Sequence, residues 1–450
     1  MTTDLNYSDA LVMKFGGTSV GNPERIRNVA DLITTKERKI VVLSAMSGVT
    51  NSLVEICQLY YSGNKQGALN TIRALQDRYS EAIKGLYETP DNISDAEAFV
   101  AQKMDFIREF QKEFFTDFEE RQILAQGEII SIEMMRLYLK ERGVEAVKLP
   151  ALDYMITNKY GEPNQELIRQ QLLALLRKYP DQRLFLTEGY ICRNAYLEID
   201  NLKRGGSDYT ASLVGAAIDA KEIQIWTDID GMHNNDPRVV DKTDPVHILH
   251  FDEAAELAYF GAKILHPTCI HPAKMANIPV RLLNSMEPDA EGTLISNRMI
   301  EGKIKAVAAK DGITSIRILS RRMLLAHGFF RKVFEVFEQH QTPVDMVTTS
   351  EVAVSLTIDN TNRLEEILGE LKKFSTVYVD NDMTILSVVG DLNWKNVGFE
   401  SDIVKALEKI PVRMISYGGS NYNVSMLIRS EDKEESLNLL SQNLFYNNSL

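Results

Sequence analysis

At 450 residues the chain is long enough for about three domains, and its 44% hydrophobic and 25% charged residues are those of ordinary globular protein with sizeable cores. A formal net charge of -13 argues against a general polyanion binder such as a nucleic-acid protein, while leaving room for a local basic pocket for a nucleotide. Cys57, Cys192 and Cys269 lie far apart with no metal-ligand spacing and read as buried thiols of a reducing compartment. No basic-and-apolar leader opens the sequence, and no apolar run approaches about 18 residues, so a soluble cytoplasmic protein without membrane contact is expected.

Leu11-Val12-Met13 reads as a short buried strand running into Lys14-Phe15-Gly16-Gly17-Thr18-Ser19-Val20. Asn22-Pro23-Glu24 then opens a helix: Asn22 can cap, Pro23 suits the first helical position and Glu24 favours the positive helix end. Strand, glycine turn and helix in that order form a phosphate cradle in type, with Lys14 adding a mobile charge. It matches neither the Walker A nor the GxGxxG pattern, and taken alone such a turn is as readily structural.

Lys39 to Asn51 is a second strand ending in small hydroxyl residues, which suit a crevice at the carboxyl ends of parallel strands; capping of the next helix by Thr50 or Asn51 explains them equally well. From about Ser52 to Gln126 the chain reads helical, a helical elaboration on the sheet. Glu128, among apolar neighbours, either faces a site or lies on the wet side of an amphipathic helix, and the pattern alone favours the second about two to one. Val144–Leu149 and Arg183–Ile191 read as strands flanking a helix from about Gln165 to Lys178, an alternation that implies an α/β domain with a mainly parallel sheet.

A second Gly-Gly turn beside basic residues, Lys203-Arg204-Gly205-Gly206-Ser207-Asp208, leads into a helix from Thr210 to Ile218. Two such turns can hold two parts of one polyphosphate, or phosphate and acceptor. Glu222 to Thr227 is a strand ending in polar residues, Phe251 to Phe260 a helix, and Pro279 to Asn284 the last strand of this domain. Arg238 and Lys263 suit phosphates, although a lone cation is more often a surface charge.

After Asn297–Gly302 one unit occurs twice: a helix from Gly328-Phe329 to His340 with strands Val344–Ser350 and Val352–Ile358, then a helix from Gly398-Phe399 to Lys409 with strands Val412–Gly418 and Asn423–Ile428. Gly328 matches Gly398, Met346 matches Met414, and Val354-Ser355 matches Val424-Ser425. Period-two alternation marks half-buried antiparallel strands, so two small α+β modules follow one large α/β domain. Asp345 and Glu351, at a bend rich in hydroxyl residues, suit a ligand with ammonium groups, although an isolated pair of this kind is more often solvated; the second copy has Arg413 and Asn421 there.

Lys14–Val20, Lys203–Asp208, Trp226-Thr227-Asp228 and Phe260-Gly261-Ala262-Lys263-Ile264-Leu265-His266-Pro267 together resemble the aspartate kinases of the amino-acid kinase family, most nearly the single-function, lysine-sensitive type, and the two repeats resemble its paired ACT modules. The resemblance covers nearly the whole chain. It implies a three-layer αβα kinase domain over residues 1–296, then ferredoxin-like ACT modules at 297–380 and 381–450, with strand exchange between them allowed; no fused homoserine dehydrogenase is expected, because the chain stops there.

The activity implied is ATP plus L-aspartate giving ADP and 4-phospho-L-aspartate, the first step toward lysine, threonine and methionine, with Mg²⁺ carried mainly by the nucleotide and no dedicated metal ligands. By the same resemblance Lys14, Gly16, Gly17 and Asp208 are catalytic, and Thr50, Glu128, Arg204 and Ser207 bind the amino-acid substrate, Arg204 at its α-carboxylate and Glu128 at its α-ammonium. Gly205, Gly206, Thr227, Asp228, His233, Arg238 and Lys263 join Lys14 around the nucleotide, His233 standing where the family commonly has tyrosine or an apolar residue. Met323, Gly328, Phe329, Val344, Asp345, Ser350 and Glu351 are implied to bind an effector, with L-lysine the expected inhibitor; Ala326 and Phe330 stand where serine and leucine are common. A homodimer through the ACT modules, open to tetramers, is implied as well.

Three other readings compete. A kinase for glutamate or a carbamate is disfavoured by Glu128 with Arg204 and the two modules. A non-catalytic amino-acid sensor is disfavoured by the intact Lys14, Asp208 and both Gly-Gly turns, and a nicotinamide dehydrogenase by the lack of GxGxxG after a strand.

Overall fold

The computed structural model describes residues 7–111, 114–203, 205–261, 266–319 and 328–446. Two compact units divide the chain, Met1–Gly231 with Leu265–Asn297, and Met232–Ile264 with Arg298–Leu450.

The first unit is built on a sheet whose strands run in the order Val147–Lys148, Leu184–Glu188, Lys39–Leu43, Leu11–Phe15, Glu222–Thr227, Val280–Asn284 and Thr293–Ser296. The pairings among the first six are parallel, and Thr293–Ser296 runs antiparallel to Val280–Asn284. Alternation sends Met13, Phe15, Val41, Leu43, Leu184 and Leu186 into one core with the helical elaboration, while the equally buried Val12, Ile40, Val42 and Phe185 point to the opposite face. Both faces are covered, as parallel sheets require. The elaboration comprises Val49–Tyr61, Lys65–Leu86, Pro90–Arg108, Asp117–Leu124 and Gln126–Glu141.

The first helix, Pro23–Ile33, starts as its sequence predicts, with Pro23 in the first turn and the Asn22 side chain accepting from the Arg25 amide at 2.9 Å. Because neighbouring strands are parallel and in register, Lys14 lies opposite Val42 and Ile225, and the carboxyl ends of three strands converge.

The second unit carries a six-stranded sheet ordered Val347–Thr349, Ala353–Ile358, Ile304–Leu319, Thr376–Gly390, Asn423–Arg429, Met414–Ser416, all antiparallel. The repeat shows in the register: Val354 pairs with Ile318 and Val424 with Val388. Gly328 and Gly398, at φ +86° and +102°, open the matching helices Phe329–Gln339 and Phe399–Ala406. Each module has its own core, one around Phe329, Val333 and Phe337, the other around Phe399, Ile403 and Leu440. The long strands Ile304–Leu319 and Thr376–Gly390 pair along both modules and join them in one sheet.

Residues 232–264 are built into this second unit. The Val307 amide donates to the Asn234 carbonyl at 2.8 Å, Asn423 Nδ2 donates to Glu256 Oε2 at 2.7 Å, and the His250 ring stacks on Tyr422. Among the described residues no helix is long and apolar enough to cross a membrane.

Candidate active site

A cleft of about 690 Å³ opens in the first unit at the carboxyl ends of its central strands. Lys14, Gly17, Thr50, Glu128, Gly205, Gly206, Ser207 and Asp208 all line it. It therefore brings together most of the residues that sequence reasoning assigned to phosphate and acceptor.

Lys14, the penultimate residue of its strand, has Nζ 2.7 Å from Asp208 Oδ1, a contact of opposite charges rather than a well-directed hydrogen bond, and both side chains are mostly buried. Asp208 lies in the first turn of the helix Gly206–Ile218, whose start supplies amides for an anion. The glycines are sterically dictated. A side chain on Gly17 would meet the Ala45 carbonyl at 2.8 Å; one on Gly205, at φ +72°, would meet Cys269 Sγ at 2.6 Å. The Gly16 amide donates to the Trp226 carbonyl at 3.2 Å and so anchors the turn to the adjacent strand.

Glu128, in the first turn of Gln126–Glu141, is only 4% exposed. Its Oε1 accepts from the Ala45 amide at 3.3 Å, and its Oε2 has no hydrogen-bond partner. Burial pushes the carboxyl up to about 8, against the pull of the Ala45 amide, with the Glu188 charge adding a smaller upward push. Glu188 itself is satisfied by Lys148 and the Ala151 amide, each at 2.8 Å. The surface alternative for Glu128 is thus replaced by a buried carboxyl with one oxygen unpartnered, a group that burial favours in its neutral form.

Thr227 and Asp228 stand at the end of the neighbouring strand, Thr227 Oγ1 donating to Asp228 Oδ1 at 3.1 Å. His233 and Arg238 belong to the second unit: His233 Nδ1 lies 2.9 Å from Thr243 Oγ1, and Arg238 forms a two-pronged pair with Asp236. Arg204, Lys263 and Met323 lie outside the described residues. The cleft also contains Tyr190 and Lys203, which sequence reasoning did not single out as site residues; both adopt positive φ, 69° and 58°, beside the second Gly-Gly turn. Cys57, Cys192 and Cys269 are buried, and burial pushes each thiol up to about 12, so they are inert.

In the second unit, Asp345 is held by Lys310 Nζ at 2.7 Å and by the Tyr259 hydroxyl, which donates at 3.0 Å, while Lys310 also reaches Asp359 at 2.8 Å. Asp345 Oδ2 is buried without a hydrogen-bond partner. Ser350 donates its amide to the Ala353 carbonyl at 2.9 Å, Glu351 is exposed, Val344 is half-buried, and Phe329, the first residue of the helix opened by Gly328, is buried. At the position of Asp345 in the other copy, Arg413 pairs with Asp380 at 3.0 Å.

The profile of the amino acid kinase family matches residues 9–284, and that of the ACT domain residues 386–444. The chain is 32% identical to lysine-sensitive aspartokinase 3 of Escherichia coli (strain K12), over 97% of this chain and 100% of that one. The chain belongs to the aspartokinases of the amino acid kinase family. Aspartokinase 1, chloroplastic, of Arabidopsis thaliana is also 32% identical, over 98% of this chain and 81% of that one. Among solved structures, E. coli aspartokinase III in complex with aspartate and ADP (R-state) superposes with a TM-score of 0.82 at 31% identity, covering 97% of this chain and all of that one. The same protein in complex with lysine and aspartate (T-state) gives 0.79, with equal identity and coverage. The aspartokinase fold is therefore present over almost the full length, in line with the α/β kinase domain and ACT modules expected from the sequence.

The Glu128 environment has a measurable consequence for stability. A carboxyl raised from its ordinary value to about 8 stabilises the fold fully below the ordinary value, and that contribution is lost as pH rises through about 8. Glu128→Gln should therefore melt close to wild type near pH 4.5 and several degrees higher at pH 8, the gap widening steadily between them. A gap that does not change with pH would contradict the buried, protonated carboxyl.

Proposed function

We propose that this chain is an aspartate kinase, transferring the γ-phosphoryl group of ATP to the side-chain carboxylate of L-aspartate to give 4-phospho-L-aspartate, with feedback inhibition by L-lysine. The observation that carries the reading is a single cleft lined by Lys14 and the two glycine turns and by the buried Glu128 carboxyl, whose second oxygen has no hydrogen-bond partner. Near-full-length likeness to aspartokinases of E. coli and Arabidopsis supports it.

In the proposed mechanism the substrate is MgATP, the metal arriving on the phosphates. The Lys14 ammonium, oriented by Asp208, meets charge building on the transferred group, and the start of the helix Gly206–Ile218 with the Gly17 turn offers amides to the same oxygens. The aspartate carboxylate is already ionised, so no base is needed. One of its oxygens forms the new bond to phosphorus as the bond to the ADP oxygen breaks, and the electron pair leaves with ADP. Glu128 holds the α-ammonium, Arg204 the α-carboxylate, and Thr50 and Ser207 border the substrate. Thr227, Asp228, His233, Arg238 and Lys263 are assigned to the nucleotide. On this reading residues 1–296 form the catalytic region, and 297–380 and 381–450 the regulatory modules.

L-Lysine is assigned to the first module, between copies of the chain in a cytoplasmic homodimer that can associate further into tetramers. Its ammonium would meet Asp345 at the open Oδ2 and Glu351 at the surface, with Met323, Gly328, Phe329, Val344 and Ser350 around it. Phe330 and Phe334, one turn apart and more than a third exposed, give this module an apolar face suited to a second copy. Inhibition requires tighter binding to an inactive arrangement than to the active one.

A hydroxamate assay with aspartate and ATP, run with lysine, threonine or methionine, tests the whole reading. Aspartate-dependent hydroxamate inhibited by lysine is expected; no product would end the assignment, and inhibition by threonine alone would replace the effector. Lys14→Ala should lower kcat by on the order of a hundredfold or more in a folded protein. Glu128→Gln should raise the aspartate KM far more than the ATP KM, and an equal rise in both would count against its pairing with the ammonium.

A further inference from the structure

The loop Ser44–Gly48 is the point at which the two halves of the cleft are joined. The Ser44 amide donates to the Phe15 carbonyl at 3.2 Å and the Ser47 amide to the Gly17 carbonyl at 3.1 Å, so the loop sets the phosphate turn. Between these two, next to Ser44 and two residues before Ser47, the Ala45 amide is the donor that holds Glu128. Gly127 packs so closely that a side chain on it would meet the Ala45 Cβ at 2.8 Å. A displacement of this loop therefore moves the carboxylate's anchor and the glycine turn together.

What fixes the loop from outside is Arg78, on the helix Lys65–Leu86 of the helical elaboration. Its Nη2 donates to the Ser47 carbonyl, a charge-assisted bond to a backbone acceptor. Its Nη1 occupies the space beside Gly48, where a Cβ would come within 2.9 Å. Gly48 sits at φ +78° and opens the helix Val49–Tyr61 with no side-chain cap; within the loop, backbone bonds such as that from the Val49 amide to the Met46 carbonyl, at 3.0 Å, hold this turn. Tyr79, the next residue, is fully buried and fixes that turn of the helix in the core. Arg78 is not among the residues lining the cleft and plays no part in the mechanism above.

We propose that Arg78 is a positioning residue for the amino-acid end of the site: its guanidinium pins the Ser47 carbonyl, and through Ala45 it sets the place of the Glu128 carboxylate. The inference rests on the aspartate kinase reading for its substrate and on the loop geometry for its structural half. It also gives the helical elaboration a role in the chemistry, because the loop is braced by a side chain that the parallel sheet does not supply.

Arg78→Met keeps the stem and removes the donors, and Arg78→Lys restores one of them. Arg78→Met should lower kcat/KM for aspartate by on the order of tenfold to a hundredfold, with the ATP KM within about threefold of wild type and Arg78→Lys recovering part of the loss. Hydrogen exchange gives a readout independent of substrate: the amides of Ser44, Ala45 and Ser47 should exchange at least about tenfold faster in Arg78→Met than in wild type, while the strand Lys39–Leu43 keeps its protection. Unchanged loop protection would overturn the proposal, as would aspartate and ATP constants rising together or Arg78→Met keeping wild-type kcat/KM. Should the wild type fail to phosphorylate aspartate, the functional reading falls, and the exchange result still decides whether Arg78 holds the loop.

Discussion

A carboxyl group buried with one oxygen unsatisfied is the constraint on which the first unit turns. Glu128 is set among apolar residues, takes one backbone amide and leaves Oε2 without a partner. Such a group is unfavourable as an anion and tolerable as a neutral acid, and its raised pKa records that balance. The surrounding architecture serves to keep it there: Gly127 lets its helix close on Ala45, the loop supplies the amide, and Arg78 braces the loop. A ligand ammonium would satisfy the open oxygen and draw the proton off. Stability is given up locally so that binding can recover it.

The Lys14 end of the cleft is arranged on the opposite principle. Lys14 and Asp208 are already paired by charge at 2.7 Å, and the glycine turns already hold their shape through contacts that exclude side chains. That end of the cleft needs little reorganisation, as preorganised electrostatic stabilisation requires. In the second unit, the segment 232–264, which carries His233 and Arg238, is bonded to the antiparallel sheet through Asn234, Glu256 and the His250–Tyr422 stack. Tyr259, at the end of the helix Phe251–Tyr259 in that segment, donates to Asp345.

Sequence logic reached the elements whose cause is local. The turns at Gly16-Gly17 and Gly205-Gly206 follow from strand, glycine and helix signals in a row, and the duplicated module follows from Gly328 and Gly398 with matching strand patterns. On pattern alone Glu128 favours solvent, because a lone glutamate on a helix is mostly exposed. Its helix, however, is buried almost all round from Gln126 to Ser131, a feature of helices inside a large protein rather than at its surface. The length of the strands Ile304–Leu319 and Thr376–Gly390 was not legible, since Lys310-Asp311-Gly312 and Asp380-Asn381-Asp382 break the alternation where the register shifts. Arg78 and Lys310 left no signal at all: their partners, a backbone carbonyl for the one and two carboxylates for the other, are far away in sequence and are met only in the fold.

On the proposed function, Glu128 is a protonated acid in the free site and becomes the counter-ion of the substrate ammonium. Calorimetric titration with L-aspartate at pH 7, repeated in buffers of different ionisation enthalpy, measures this directly. A carboxyl near 8 in the free protein predicts release of about one proton per aspartate bound, with Glu128→Gln releasing none at the aspartate concentrations needed to saturate it. Binding of aspartate to the wild type with no proton release would contradict the claim.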